Sequence, residues 1–114
     1  MFIDSNDTGL IEKVKTFINA DLSIHHHTEE LAVVAEMGQT RLKELFRLQT
    51  GKSLYEYLQF QRMEAAADKL RSRDLNLKTI TKKFGYHQYN NFAKAFKKHH
   101  GITPRQYRQL YSQY

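Results

Sequence analysis

The chain has no cysteine, one proline and five glycines in 114 residues. Without cysteine, neither a disulfide framework nor a cysteine-ligated zinc site can form. No apolar run approaches the ~20 residues that span a bilayer, so no membrane association is expected. The stretch Met1 to Thr8 holds two aspartates and no lysine or arginine, which excludes a secretory signal. A soluble, cytoplasmic protein is the expectation. Acidic residues are also missing from Leu75 to Tyr114, where Lys78, Lys82, Lys83, Lys94, Lys97, Lys98, Arg105 and Arg108 give +8 against −2 for the first 74 residues. Such asymmetry points to a polyanion partner for the C-terminal half, or to a solvated basic surface. No histidine–carboxylate spacing and no phosphate-cradling glycine loop is present, so neither enzyme activity nor a cofactor is expected.

What the chain does contain is one pattern written twice. Leu42, Phe46, Gly51, Ser53 and Tyr57 line up with Phe92, Phe96, Gly101, Thr103 and Tyr107, each pair 50 positions apart. Upstream, Leu31-Ala32 lines up with Ile80-Thr81 at an offset of 49. Two copies of one unit suggest a single ligand contacted twice at a regular spacing.

Apolar residues recur at three and four, which predicts an all-α chain of seven helices. After a mobile leader over 1–7, helices are expected over about 8–20, 28–36, 39–50, 54–72, 77–84, 88–99 and from Pro104 to about Leu110, with a tail over 111–114. The expected inward faces are Leu10, Ile11, Val14, Phe17 and Ile18 in the first helix, and Leu31, Ala32 and Ala35 in the second. In the third they are Leu42, Leu45, Phe46 and partly Leu48. Tyr57, Leu58, Met63, Ala66, Ala67 and Leu70 follow in the fourth, and Phe92, Ala95 and Phe96 in the sixth. Gly51 and Gly101 stop helices. Ser53 with Glu56, and Thr103 with Gln106, form capping boxes, with Pro104 at the first helical position. Asn76 caps the fifth helix.

Each repeated unit is a short helix, a tight turn and a second helix, with a small residue (Ala32, Thr81) four positions before the turn residues Glu36 and Gly85. This is helix-turn-helix spacing, in which the second helix enters the DNA major groove. The first such unit covers about 28–50 and the second about 77–99. The first recognition helix offers Gln39, Thr40, Arg41, Lys43, Glu44 and Arg47; the second offers Gln88, Tyr89, Asn90, Asn91, Lys94, Lys97 and Lys98. Asn and Gln match adenine edges, Arg and Lys match guanine, and the cations also neutralise phosphates. The intervening helix, about 28 Å long, is of a length to serve two successive grooves about 34 Å apart. The remaining histidines read otherwise: His25-His26-His27 as a solvated connection rather than a metal site, and His99-His100 as a helix end. No metal is expected.

The residues Ile80-Thr81-Lys82-Lys83-Phe84-Gly85-Tyr86, Asn91-Phe92, Ala95-Phe96-Lys97-Lys98, Gly101-Ile102-Thr103-Pro104 and Tyr107-Arg108 carry a resemblance. With Leu31-Ala32, Leu45-Phe46, Tyr57-Leu58, Arg62-Met63 and Ala66, the chain resembles the DNA-binding domain of the AraC/XylS family of bacterial transcription regulators over about 8–110. The resemblance implies seven helices in two helix-turn-helix lobes joined by a linker helix. It also implies sequence-specific binding of double-stranded DNA and activation through contact with RNA polymerase. It further implies a separate sensing or dimerisation domain, so that this chain is either part of a longer regulator or a short stand-alone member. Against the family pattern, Thr81 replaces an alanine, Glu36 the first turn's glycine, Gly38 a serine cap, and Glu44 a base-reading arginine of some relatives. The rival readings are a helical module docking an acidic protein and a non-specific architectural DNA binder.

Overall fold

The computed structural model describes residues 5–112, whose regular elements are all helices, with no strand among the described residues. The helices are α1 (Ser5–Ala20), α2 (Thr28–Ala35), α3 (Gln39–Thr50), α4 (Leu54–Arg71), α5 (Leu77–Lys83), α6 (Tyr89–His100) and α7 (Pro104–Tyr111). They fall into two compact units, Met1–Gln59 and Phe60–Tyr114. The first unit packs Ile11, Val14 and Ile18 of α1 with Leu31, Ala32 and Ala35 of α2, Leu42, Leu45 and Phe46 of α3, and Tyr57 and Leu58 of α4. The second unit buries Met63, Ala66, Ala67 and Leu70 of α4, Ile80 and Thr81 of α5, Phe84, and Phe92 and Phe96 of α6. Removal of these side chains from water, at roughly 25 cal/mol per Å² of apolar surface, is what holds each unit together.

The sequence repeat is also a repeat of interactions. Phe46 and Tyr57 meet edge to face at 5.3 Å and 84°, and Phe96 and Tyr107 at 5.4 Å and 80°. The Tyr57 hydroxyl accepts from Asn19 Nδ2 at 2.7 Å, and the Tyr107 hydroxyl accepts from Arg71 Nη1 at 2.7 Å. Gly51 and Gly101 are both left-handed, and their N–H groups donate to the Arg47 and Lys97 carbonyls at 2.8 and 2.7 Å. Ser53 and Glu56 close one capping box; Thr103 and Gln106 close the other. The bond from the Ser53 backbone N–H, more than any other cause, holds the Glu56 carboxyl below the usual carboxylate range. Each unit is therefore a supporting helix, a short helix, a recognition helix and a closing helix that returns a tyrosine to the recognition-helix phenylalanine.

The turns repeat as well. Met37 N–H donates to the Ala32 carbonyl and Tyr86 N–H to the Thr81 carbonyl, both at 3.1 Å. Buried Thr81 satisfies its hydroxyl on the Leu77 carbonyl at 2.8 Å, which lets threonine stand at the small-residue position. Gly85 adopts φ 86°, whereas Glu36 is the only described non-glycine residue at positive φ, 57°. An L side chain in that region costs roughly 1–2 kcal/mol. Glu36's ion pair with Lys13, 3.4 Å long and exposed at both ends, recovers little of it. Glu36→Gly is expected to stabilise the first unit by about 0.5–1 kcal/mol after the entropy cost of glycine is included. A denaturation midpoint that falls or stays fixed would show that Glu36 carries no strain.

Some expectations need correction. Ser5, Asn6 and Asp7 belong to α1 rather than to a mobile leader, because Asp7 is anchored in the first unit by Arg41; residues 1–4 lie outside the described residues. The expected tail begins later, since α7 includes Tyr111, and residues 113 and 114 are outside the described range. Gln88 lies just outside α6, at its N-cap position, with no capping bond from its side chain. Leu48 is 55% exposed, because it falls about 110° around α3 from the direction set by Leu42, Leu45 and Phe46. Phe17 is 36% exposed and lies against the His26 ring at 4.6 Å. Leu10 and Ala95 are half-buried. His26 is not simply solvated: besides Phe17 it meets Glu30 at 2.8 Å.

Candidate nucleic-acid interface

Helical phase decides which side chains each recognition helix presents. On α6, Phe92 and Phe96 point into the core, and Lys94 lies opposite them, flanked by exposed Asn90, Asn91, Lys97 and Lys98. On α3, Leu42, Leu45 and Phe46 point inward, and Glu44 occupies the place of Lys94, flanked by exposed Thr40, Arg41, Lys43 and Arg47. Gln39 and Gln88 are exposed at the starts of the two helices. Tyr89 is half-buried, with the Arg105 guanidinium 5.1 Å from its ring centroid. Thr40 and Asn90, Arg41 and Asn91, Glu44 and Lys94, and Arg47 and Lys97 are thus equivalent pairs in the repeat.

The two faces differ in charge. The first unit's sequence has six basic and nine acidic residues, and the second has twelve basic and three acidic. In the first unit the recognition-helix arginines are already engaged. Arg41 Nη2 donates to both oxygens of Asp7 at 2.9 and 2.8 Å, and Arg47 Nη2 donates to Glu56 at 3.0 Å. Exposed Glu29 and Glu30 open α2. In the second unit no carboxylate of the described residues pairs with Lys94, Lys97 or Lys98, and exposed Lys78, Lys82 and Lys83 add to the field from α5.

Several charged groups serve the scaffold instead, and periodicity gave no sign of them. Arg108 caps the C-terminal end of α4: its Nε donates to the Leu70 carbonyl at 3.1 Å and its Nη2 to the Ser72 carbonyl at 2.8 Å. Burial, then the nearby Arg73 charge, lowers its pKa. Arg71 has its pKa raised, first by the hydrogen bond to Tyr107. Among the described residues one group with metal-ligand chemistry comes together, Glu64 with His99 and His100. His99 Nε2 meets Glu64 Oε2 at 3.0 Å, and His100 Nε2 donates to the Met63 carbonyl at 2.9 Å. These bonds fasten the end of α6 to α4, a role that sequence reading reduced to a helix end.

Two repeated helix-turn-helix units, each holding a recognition helix by its buried face, define a tandem helix-turn-helix domain. A helix-turn-helix domain family matches residues 31–110. Over 105 residues the chain is 36% identical to the HTH-type transcriptional activator RhaR of Yersinia pseudotuberculosis, a match covering 92% of this chain and 36% of that protein. The C-terminal domain of AraT, a response regulator from Geobacillus stearothermophilus, superposes with a TM-score of 0.85 at 27% identity, covering 96% of this chain and 92% of that one. The DNA-binding domain of AdpA, solved in complex with a target DNA, shares the fold with a TM-score of 0.77 at 24% identity, over 89% of this chain and 91% of that one. The chain belongs to the AraC/XylS family of helix-turn-helix transcription regulators. It spans about a third of the length of that RhaR protein. No helix among the described residues is long and apolar enough to cross a membrane.

Proposed function

We propose that the chain binds double-stranded DNA at specific sequences and thereby regulates bacterial transcription in the cytoplasm, activation being the direction that the RhaR relatives support. The observation that carries this reading is the outward face of α6, where Asn90, Asn91 and Lys94 stand beside Lys97 and Lys98 with no acidic residue in the helix. Asn offers a bidentate match to adenine and Lys donates to guanine, while the two later lysines suit phosphates. The tandem repeat supports a second contact by α3 through Gln39, Thr40, Lys43, Glu44 and Arg47, with one major groove per unit. Contact with RNA polymerase, and a sensing or dimerisation domain elsewhere in the full regulator, complete the proposal. Footprinting on a selected site is the test. Two protected patches about 10 base pairs apart are expected, and a single uniform or absent footprint contradicts the reading.

Lys97→Ala with Lys98→Ala should weaken binding to all duplexes alike. It should also flatten the plot of log affinity against log salt by about two contacts' worth. An unchanged slope removes both lysines from the interface.

A further inference from the structure

We infer that Asp7 is an affinity-limiting residue that withholds Arg41 from contact with DNA. The inference rests on the DNA-binding reading above. A guanidinium recognises guanine edges and phosphates through paired donors, and it has two such forks, Nε with Nη2 and Nη1 with Nη2. Both forks contain Nη2. In the first unit that nitrogen donates to both Asp7 oxygens, at 2.9 and 2.8 Å. Arg41 therefore stands in the first turn of the recognition helix, half-exposed, with Nη2, which both forks share, held by the Asp7 carboxylate.

Burial decides whether DNA can take it from Asp7. The Asp7 residue is only 5% exposed. If Arg41 swung outward, the Asp7 carboxylate would lose its guanidinium partner while buried, the costly way to break such a pair. The pair between Arg47 and Glu56 differs, because both side chains are largely exposed and water replaces either partner cheaply. Position 91, the second unit's equivalent of Arg41, is an asparagine with no charge to withhold. The carboxylate on α1 thus limits the first recognition helix to a weak and permissive contact, leaving discrimination to α6.

The experiment measures affinity against salt concentration, on a selected duplex and on a scrambled one, for the full chain and three variants checked by circular dichroism. Asp7→Asn keeps the shape of the side chain and removes the charge. It should bind both duplexes about 3–10-fold more tightly and steepen the salt slope by about one contact's worth. Arg41→Gln alone should leave the wild-type slope unchanged, and Asp7→Asn with Arg41→Gln should return to it. An unchanged slope in folded Asp7→Asn overturns the inference. So does a slope flattened by one contact in Arg41→Gln, a readout that stands even where Asp7→Asn fails to fold. A wild-type chain that binds neither duplex overturns the DNA-binding reading itself and the inference with it.

Discussion

Phe96→Ala is expected to destabilise the second unit by about 3–5 kcal/mol, a large share of what a unit of this size holds in reserve. Phe96 has no accessible surface. Its ring meets Phe92 at 5.9 Å, His100 at 4.4 Å and Tyr107 at 5.4 Å, so one truncation opens a cavity where α6 and α7 meet. Tyr107 would lose the ring it packs against, and with it the seat of its bond from Arg71. Phe46→Ala should do the same in the first unit through Tyr57 and Asn19. The check is chemical denaturation followed by tyrosine fluorescence and circular dichroism. The variant should show an early transition for one half of the chain and a later one for the other. Retention of full stability by Phe96→Ala would remove the repeated phenylalanine–tyrosine pair as the basis of the fold.

The second large effect concerns base reading. Lys94→Ala should lose about 1–3 kcal/mol on the preferred site and much less on scrambled DNA. Lys94 lies at the centre of the α6 outward face, and Asn90 and Asn91 flank it. Its equivalent Glu44 cannot donate to guanine and is repelled by phosphates. Glu44→Lys should therefore strengthen binding and add about one contact's worth to the salt slope. Affinities of Lys94→Ala for both duplexes at one fixed salt concentration, and of Glu44→Lys across a salt series, decide the matter. Equal losses from Lys94→Ala on both duplexes would make Lys94 a backbone contact and shift discrimination toward Thr40 and Lys43.

The sequence made legible what repeats at a fixed phase. The offset of 50 preserves helical register, so Leu42 with Phe92 and Phe46 with Phe96 could be placed as buried equivalents before any coordinates, and they are buried. Caps were legible for the same local reason: Asn76, Ser53 and Thr103 bond the backbone amides three residues on. What stayed hidden depends on partners far along the chain. Asp7 bonds a residue 34 positions away and Arg108 caps a helix 36 to 39 positions back, and no periodicity encodes either. The supporting half of the repeat was missed too. Ile11, Val14 and Ile18 match Met63, Ala66 and Leu70 at an offset of 52, which differs from the 50 of the recognition helices because the connecting segments differ in length. Leu48 and Phe17 misled because an apolar side chain near the edge of a stripe looks inward until the neighbouring helices are placed.

Selection of binding sites from a random duplex pool tests the central claim most directly, followed by affinities for the winning sequence and its scrambled form at the same salt concentration. A sequence-reading tandem helix-turn-helix domain should enrich one site and prefer it on the order of 1,000-fold. Failure to enrich any sequence, or equal affinity for both duplexes, would contradict it.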